Sequence, residues 1–229
     1  MANTMEQTVI DLINVKTTQT APYLRVADRP AHETARLVLR SFTAADLASF
    51  HELRTQPEVM IYTSQGRPDA SLAETQTKLD PFLSPRGDDL YVLAVVERAT
   101  GALVGSVGSH LRTDELGWPA LGYMLRKEAW GKGYATEALA GFLEVWWSLP
   151  REETALVVDT STVPGPAKAV GGAEEVTVTE QIVAITIDSN VASQNVLRKS
   201  GFKLVKKWID TENPPLLPLC FAWSLERPQ

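Results

Sequence analysis

The chain has 229 residues, 44% of them hydrophobic and 22% charged, which suits one soluble domain with extensions and a substantial core. A net charge of -6 without any Lys/Arg cluster excludes nucleic acid as the expected partner, and the lone cysteine, Cys220, excludes an intrachain disulfide and a Cys/His metal pattern. No apolar run approaches the roughly 18 residues of a membrane span, and the N-terminus lacks a basic-then-apolar leader, so no membrane is expected and a cytoplasmic location is.

Residues 1–33 are of mixed polarity and read as an N-terminal arm outside the core; the domain is expected over 34–229. Arg36 to Arg40 alternates like a strand. Thr43 with Asp46 then opens a helix whose stripe is Leu47, Phe50 and Leu53. Gln56-Pro57-Glu58 starts a second short helix, and Ser71 with Glu74 forms the capping box of a third, closed by Pro81 and Pro85. Tyr91 to Val96 and Leu103 to Leu111 read as a hairpin across Ala99-Thr100-Gly101, followed by a strand at Leu121 to Leu125.

After that strand comes Trp130-Gly131-Lys132-Gly133-Tyr134-Ala135. From Tyr134 onward Ala135, Ala138, Leu139, Phe142, Leu143 and Trp146 recur at helical spacing. Two glycines let the backbone turn tightly and leave its amides uncovered, and the helix that follows turns its positive end toward them. An anion, and pyrophosphate in particular, suits such a turn. A dinucleotide fingerprint is disfavoured because its third glycine position is Thr136; a Walker loop is excluded because Lys132 is followed by Gly133. An ordinary glycine-rich strand-to-helix turn stays open on the loop alone.

Residues 151–180 interrupt the progression. Thr154 to Thr162 and Glu175 to Thr179 read as the strands of a protruding hairpin with a tip at Pro164 to Gly172, either a tolerated surface insertion or a dimer contact or substrate wall. Gln181 to Ile187 is a near-continuous β-branched run and is expected centrally in the sheet. Asn190 then caps a helix with Ser193 at its third position, cations Arg198 and Lys199 in its last turn, and Gly201-Phe202 as a glycine stop. Strands Lys203 to Ile209 and Leu219 to Leu225 flank a proline-rich loop and close the sheet.

Two stretches carry a family resemblance. Trp130 to Ala135 resembles the Gln/Arg-x-x-Gly-x-Gly/Ala loop of the GNAT acyl-coenzyme A N-acyltransferases, with Trp130 departing from its first position. Asn190, Ser193, Leu197, Lys199, Gly201 and Phe202 match the Asn-x-x-Ser-x-x-x-Leu-x-Lys-x-Gly-Phe signature of the same family. With Gly122-Tyr123 before the loop, the chain from Arg36 to Leu225 looks most like the ribosomal-protein alanine acetyltransferase (Rim-type) branch.

The resemblance implies an α/β GNAT fold: a mixed, mostly antiparallel sheet with a central splayed parallel strand pair ending at Leu125 and Ile187, flanked by helices. It implies acetyl-coenzyme A as acyl donor, its pantetheine arm along the free backbone of Met124 and Leu125. The pyrophosphate falls on the amides of Gly131, Lys132, Gly133, Tyr134 and Ala135, with Trp130 and Thr136 adjoining. Asn190 and Asn195 are expected to reach the cofactor. Acetyl then passes directly to a primary amine, with the oxyanion on backbone N–H near Met124 or Leu125. Tyr123 or Ser193 is expected to protonate the thiolate. Many Rim-type relatives carry an acidic residue where this chain has Ala120, so Asp114 or Glu115 acting through water is the expected substitute base. Cys220 and the histidines show no nucleophile or triad pattern. A GNAT-fold protein that binds acyl-coenzyme A without turnover, or serves interaction only, is the alternative; a homodimer stays open.

Overall fold

The computed structural model describes residues 11–164, 176–210 and 218–228. In chain order the elements are β1 (Leu12–Thr20), β2 (His32–Glu33), β3 (Leu37–Arg40), α1 (Leu47–Arg54), α2 (Pro57–Met60), α3 (Leu72–Leu79), β4 (Tyr91–Glu97), β5 (Leu103–Leu111) and β6 (Ala120–Leu125). Next come α4 (Tyr134–Ser148), β7 (Arg151–Asp159), β8 (Val176–Thr177), β9 (Gln181–Ile187), α5 (Val191–Lys199), β10 (Lys203–Ile209) and β11 (Leu219–Glu226). The described residues pack as two compact units, one of residues 20–112 and 121–151, the other of residues 11–19, 113–120 and 152–228.

In the first unit the strands run in the order β2-β3-β4-β5-β6, with β2-β3, β3-β4 and β4-β5 antiparallel. β4 is apolar on nearly every residue and buried through Val96, as expected of a strand covered on both faces. One layer against it is aromatic: Phe42, Phe50 and Phe82 lie within 5.2–6.3 Å of one another beside Leu53, Val59 and Leu79 of the helices. Tyr91, Phe142 and Trp146 form a second cluster on the buried face of α4. Asp46 accepts from the Thr43 N–H at 2.8 Å, as the capping box requires. At α3 only half of the expected box forms: Ser71 Oγ accepts from Glu74 N–H at 3.2 Å, whereas the Glu74 carboxylate takes the N–H of Ala70 at 2.6 Å. The nearby guanidinium of Arg67 holds that carboxylate one residue upstream of the cap.

The second unit holds a three-stranded sheet, β7-β1-β8, and the ladder β9-β11-β10, both of whose pairings are antiparallel. Ala120, the first residue of β6, pairs in parallel with Val183 of β9. Val15, Leu116, Trp118, Val158, Val183 and Ala222 form its core.

Two expectations are corrected here. Residues 12–20 belong to the packed body rather than to an arm outside it, because β1 is the middle strand of its sheet and buries Val15 completely. The start of the 151–180 segment is likewise structural. β7 buries Val158, Trp118 Nε1 donates to Thr162 Oγ1 at 2.8 Å, and buried Asp159 is paired with Lys206. Most of the tip at Pro164 to Gly172 and most of the loop between β10 and β11 lie outside the described residues.

Candidate active site

β6 ends at Leu125, and a single 3-10 turn over Lys127–Ala129 leads to Trp130. The indole Nε1 of Trp130 donates to Leu125 O at 2.8 Å, folding the turn back on the strand end while the ring stays 42% exposed. That bond takes one lone pair of the Leu125 carbonyl, on the strand backbone expected to face the pantetheine arm, and leaves the second lone pair and the Leu125 N–H outside it.

Gly131 and Gly133 adopt φ of 72° and 78°, a left-handed conformation costly for any side chain with a Cβ. Gly133 is the N-cap of α4 and offers no capping side chain. The backbone bonds of the turn stop at Trp130 N–H on Lys127 O and resume at Glu137 N–H on Gly133 O. Among the described residues, the amides from Gly131 to Thr136 have no hydrogen-bond acceptor. Six consecutive donors at the start of a fifteen-residue helix have the polarity and spacing that suit a multiply charged anion.

The turn is braced by residues that sequence reasoning passed over. Arg36 donates through one terminal nitrogen to Lys132 O at 2.9 Å and through Nε to Glu137 Oε2 at 2.7 Å, and its guanidinium lies 4.6 Å from the Tyr134 ring centroid. Glu137 also accepts from Thr34 Oγ1 and from Arg36 N–H, each at 2.7 Å. Tyr134 is buried and its hydroxyl donates to Glu97 at 2.6 Å. The available signal was Glu137, a carboxylate in the first turn of the helix expected to face an anion, where a neighbouring cation would offset the repulsion.

On the strand side, Arg126 donates to Ser49 O at 2.7 Å and to Glu52 at 2.6 Å. Gln56 accepts from Lys127 N–H at 2.8 Å and donates to Glu128. Both bind the segment after β6 to α1 and its C-terminal flank. Met124 and Tyr123 are half-buried.

In the second unit α5 begins and ends as expected. Asn190 Oδ1 accepts from Ser193 N–H at 3.1 Å, and Gly201 at φ 88° lets Phe202 N–H reach Leu197 O at 3.0 Å. Buried Gln194, not singled out beforehand, donates to the carbonyls of Ile187 and Asp188, both at 3.1 Å, and ties α5 to the end of β9. Asn195 is exposed and its Oδ1 accepts from Arg198 at 2.5 Å.

Asp114 organises the connection before β6. Its Oδ1 accepts from Leu116 N–H at 2.8 Å and Trp118 N–H at 3.4 Å, while Oδ2 is buried without a partner among the described residues. Burial outweighs these bonds and pushes the carboxyl up to about 6. Glu115 is exposed. Cys220 is buried, and burial raises its thiol to about 11, so thiolate is scarce at neutral pH.

Comparison with known proteins places these features in a family. The acetyltransferase (GNAT) domain model matches residues 36–203, and the chain belongs to that family. An uncharacterized N-acetyltransferase, p20, from Bacillus licheniformis is 28% identical over 112 residues, which span 48% of this chain and 62% of that relative. Among solved structures, the ribosomal-protein-S5-alanine acetyltransferase from Vibrio fischeri shares the fold at a TM-score of 0.59 and 14% identity, covering 87% of this chain and 97% of that one. The spermidine N-acetyltransferase from Vibrio cholerae, solved with CoA and spermine, does so at 0.61 and 14%, covering 85% and 97%.

Proposed function

We propose that the protein is an acetyl-coenzyme A-dependent N-acetyltransferase that passes acetyl directly to a primary amine. The observation that carries this reading is the run of unpaired amides from Gly131 to Thr136 at the start of α4, a polarised cradle for a pyrophosphate. The relative solved with CoA supports the choice of anion. In the reaction the amine nitrogen bonds to the thioester carbonyl carbon, the C–S bond breaks, and the amine's proton leaves through a base. Backbone N–H near Met124 or Leu125 is assigned to the oxyanion, and Tyr123 or Ser193 to the thiolate, whose low proton affinity makes that help minor.

Asp114 is the better of the two base candidates, because a carboxyl near 6 accepts a proton readily at neutral pH, directly or through water. A carboxylate of that strength still falls short of a lysine. Deprotonating an ε-amine at pH 7 costs about 4–5 kcal/mol, against about 1 kcal/mol for an α-amine. The proposed acceptors are therefore peptide α-amines or other amines of low pKa.

Gly133→Asp tests the turn. A Cβ at Gly133 would meet only the Arg36 guanidinium at 3.5 Å, so the variant is expected to fold, while its charge and left-handed strain oppose a phosphate. Titration should detect tight coenzyme A binding by the parent and at least a hundredfold weaker binding by the folded variant, on the order of the 3 kcal/mol such terms can sum to. Equal affinities would refute the assignment. Thiol release over a panel of α- and ε-amines then separates turnover from binding alone.

A further inference from the structure

The turn that holds the amides contains a conflict. Glu137 sits in the first turn of α4, where its charge complements the helix but repels any anion held at the same end. The conflict is met by one side chain. Arg36 covers Glu137 with its guanidinium and its own backbone N–H, at 2.6–2.7 Å, while another of its terminal nitrogens holds Lys132 O at 2.9 Å. Resting on the coenzyme A reading above, we propose that Arg36 is the positioning residue of the anion turn: it neutralises Glu137 and holds the Lys132 carbonyl so that the neighbouring amides stay directed at the ligand.

The geometry requires an arginine. A guanidinium presents donors on three nitrogens in one plane, so it can grip a carboxylate sideways and a carbonyl end-on together; a lysine ammonium on its flexible stem can satisfy one. The guanidinium lies over Tyr134, itself anchored on Glu97, so its plane is fixed by packing as well as by hydrogen bonds. Thr34 adds a further bond to Glu137. Burial alone would raise the Glu137 carboxyl, but the bonds from Thr34 and Arg36 hold it below its ordinary value, so it stays charged and its neutralisation depends on the guanidinium. Arg36 itself is 48% exposed on its side chain, which leaves its remaining N–H groups accessible beside the turn.

The test is a double-variant cycle on the full chain, read by coenzyme A titration and thermal unfolding together. Arg36→Gln should weaken coenzyme A about tenfold or more, by leaving Glu137 uncompensated and Lys132 O unheld, and Arg36→Lys should fall between it and the parent. Glu137→Gln alone should bind at least as well as the parent. The Arg36→Gln/Glu137→Gln pair should then bind more tightly than Arg36→Gln when both are titrated well below their melting transitions, where each is fully folded and a difference in heat stability does not alter the affinity. A role confined to folding predicts the opposite, with affinity tracking melting temperature and no recovery in the pair. The proposal is overturned by a pair that binds no better than Arg36→Gln, or by an Arg36→Gln variant with parental affinity. If the parent does not bind coenzyme A, or Gly133→Asp binds as the parent does, the coenzyme A reading itself fails and this inference with it.

Discussion

Replacing Asp114 by asparagine isolates the energetic consequence of one buried carboxyl. Asparagine keeps a carbonyl oxygen for the N–H groups of Leu116 and Trp118 and removes the charge from the buried side that has no partner among the described residues. In the folded chain the carboxyl sits at about 6 because burial disfavours its ionised form, whereas in an unfolded chain it returns to about 3.9. The folded state therefore holds the proton more tightly, and parental stability falls as pH rises from about 4 to about 6, then stays lowered by a ceiling of about 3 kcal/mol. Weaker hydrogen bonds to a neutral amide oxygen offset part of that, so Asp114→Asn should be more stable than the parent by about 1–2 kcal/mol at pH 7.5 and nearly equal to it at pH 4. At this chain length the gain corresponds to about 2–8 °C in melting temperature. Thermal unfolding of both proteins across pH 4–8 measures it. A difference that does not change with pH, or that favours the parent at high pH, would refute the assignment of a buried, proton-retaining carboxyl. The same variant should erase any acidic limb near pH 6 in kcat/KM if Asp114 takes the acceptor's proton.

Arg54→Met should cost about 3–5 kcal/mol, because it strands the Asp69 carboxylate, whose side chain is fully buried against Arg54 at 2.7 Å; chemical denaturation with unchanged stability would contradict that burial. Burial would raise Asp69, but bonds from Arg54, Thr75 and Gln65 hold it down to about 2, so its contribution of about 2.5 kcal/mol is present above pH 4 and lost as pH falls through 2. Comparing acid unfolding of the parent and Asp69→Asn checks this, since only the parent should lose that increment across the window. Trp118→Phe should lose about 1–3 kcal/mol through the missing bond to Thr162 and the space left in the core. An unchanged melting temperature would show that the start of the 151–180 segment contributes little to that core.

Most elements were legible because their signals are local. Asn190 and Gly201-Phe202 bracket α5 by capping chemistry that acts within a few residues, β9 occurs with the expected bounds because its β-branched run is nearly continuous, and β5 does so as the second arm of a hairpin whose turn at Ala99-Thr100-Gly101 is marked by glycine. β1 was missed because its buried positions after Val15 are Thr17 and Thr20, which leaves no apolar alternation to read. The bonds joining Trp118 to Thr162 and Asp159 to Lys206 span 44 and 47 residues, so nothing in 151–162 alone marked it as core. At the candidate site the glycines and amides were readable from composition and periodicity. The bracing by Arg36 was not, since its partner Glu137 lies 101 residues further on.

The position of β1 bears on how the protein can be cut. The family match begins at residue 36, yet β1 lies between β7 and β8 and fills the core beside Trp118 and Val158 with Val15. A fragment trimmed to the family boundary would leave β7 and β8 with bare edges, which favour strand-to-strand aggregation, and open a destabilising void where Val15 sat. An expression fragment intended for crystallisation or screening should therefore begin upstream of Leu12, and an affinity tag placed at Thr34 would interrupt the fold rather than decorate its end.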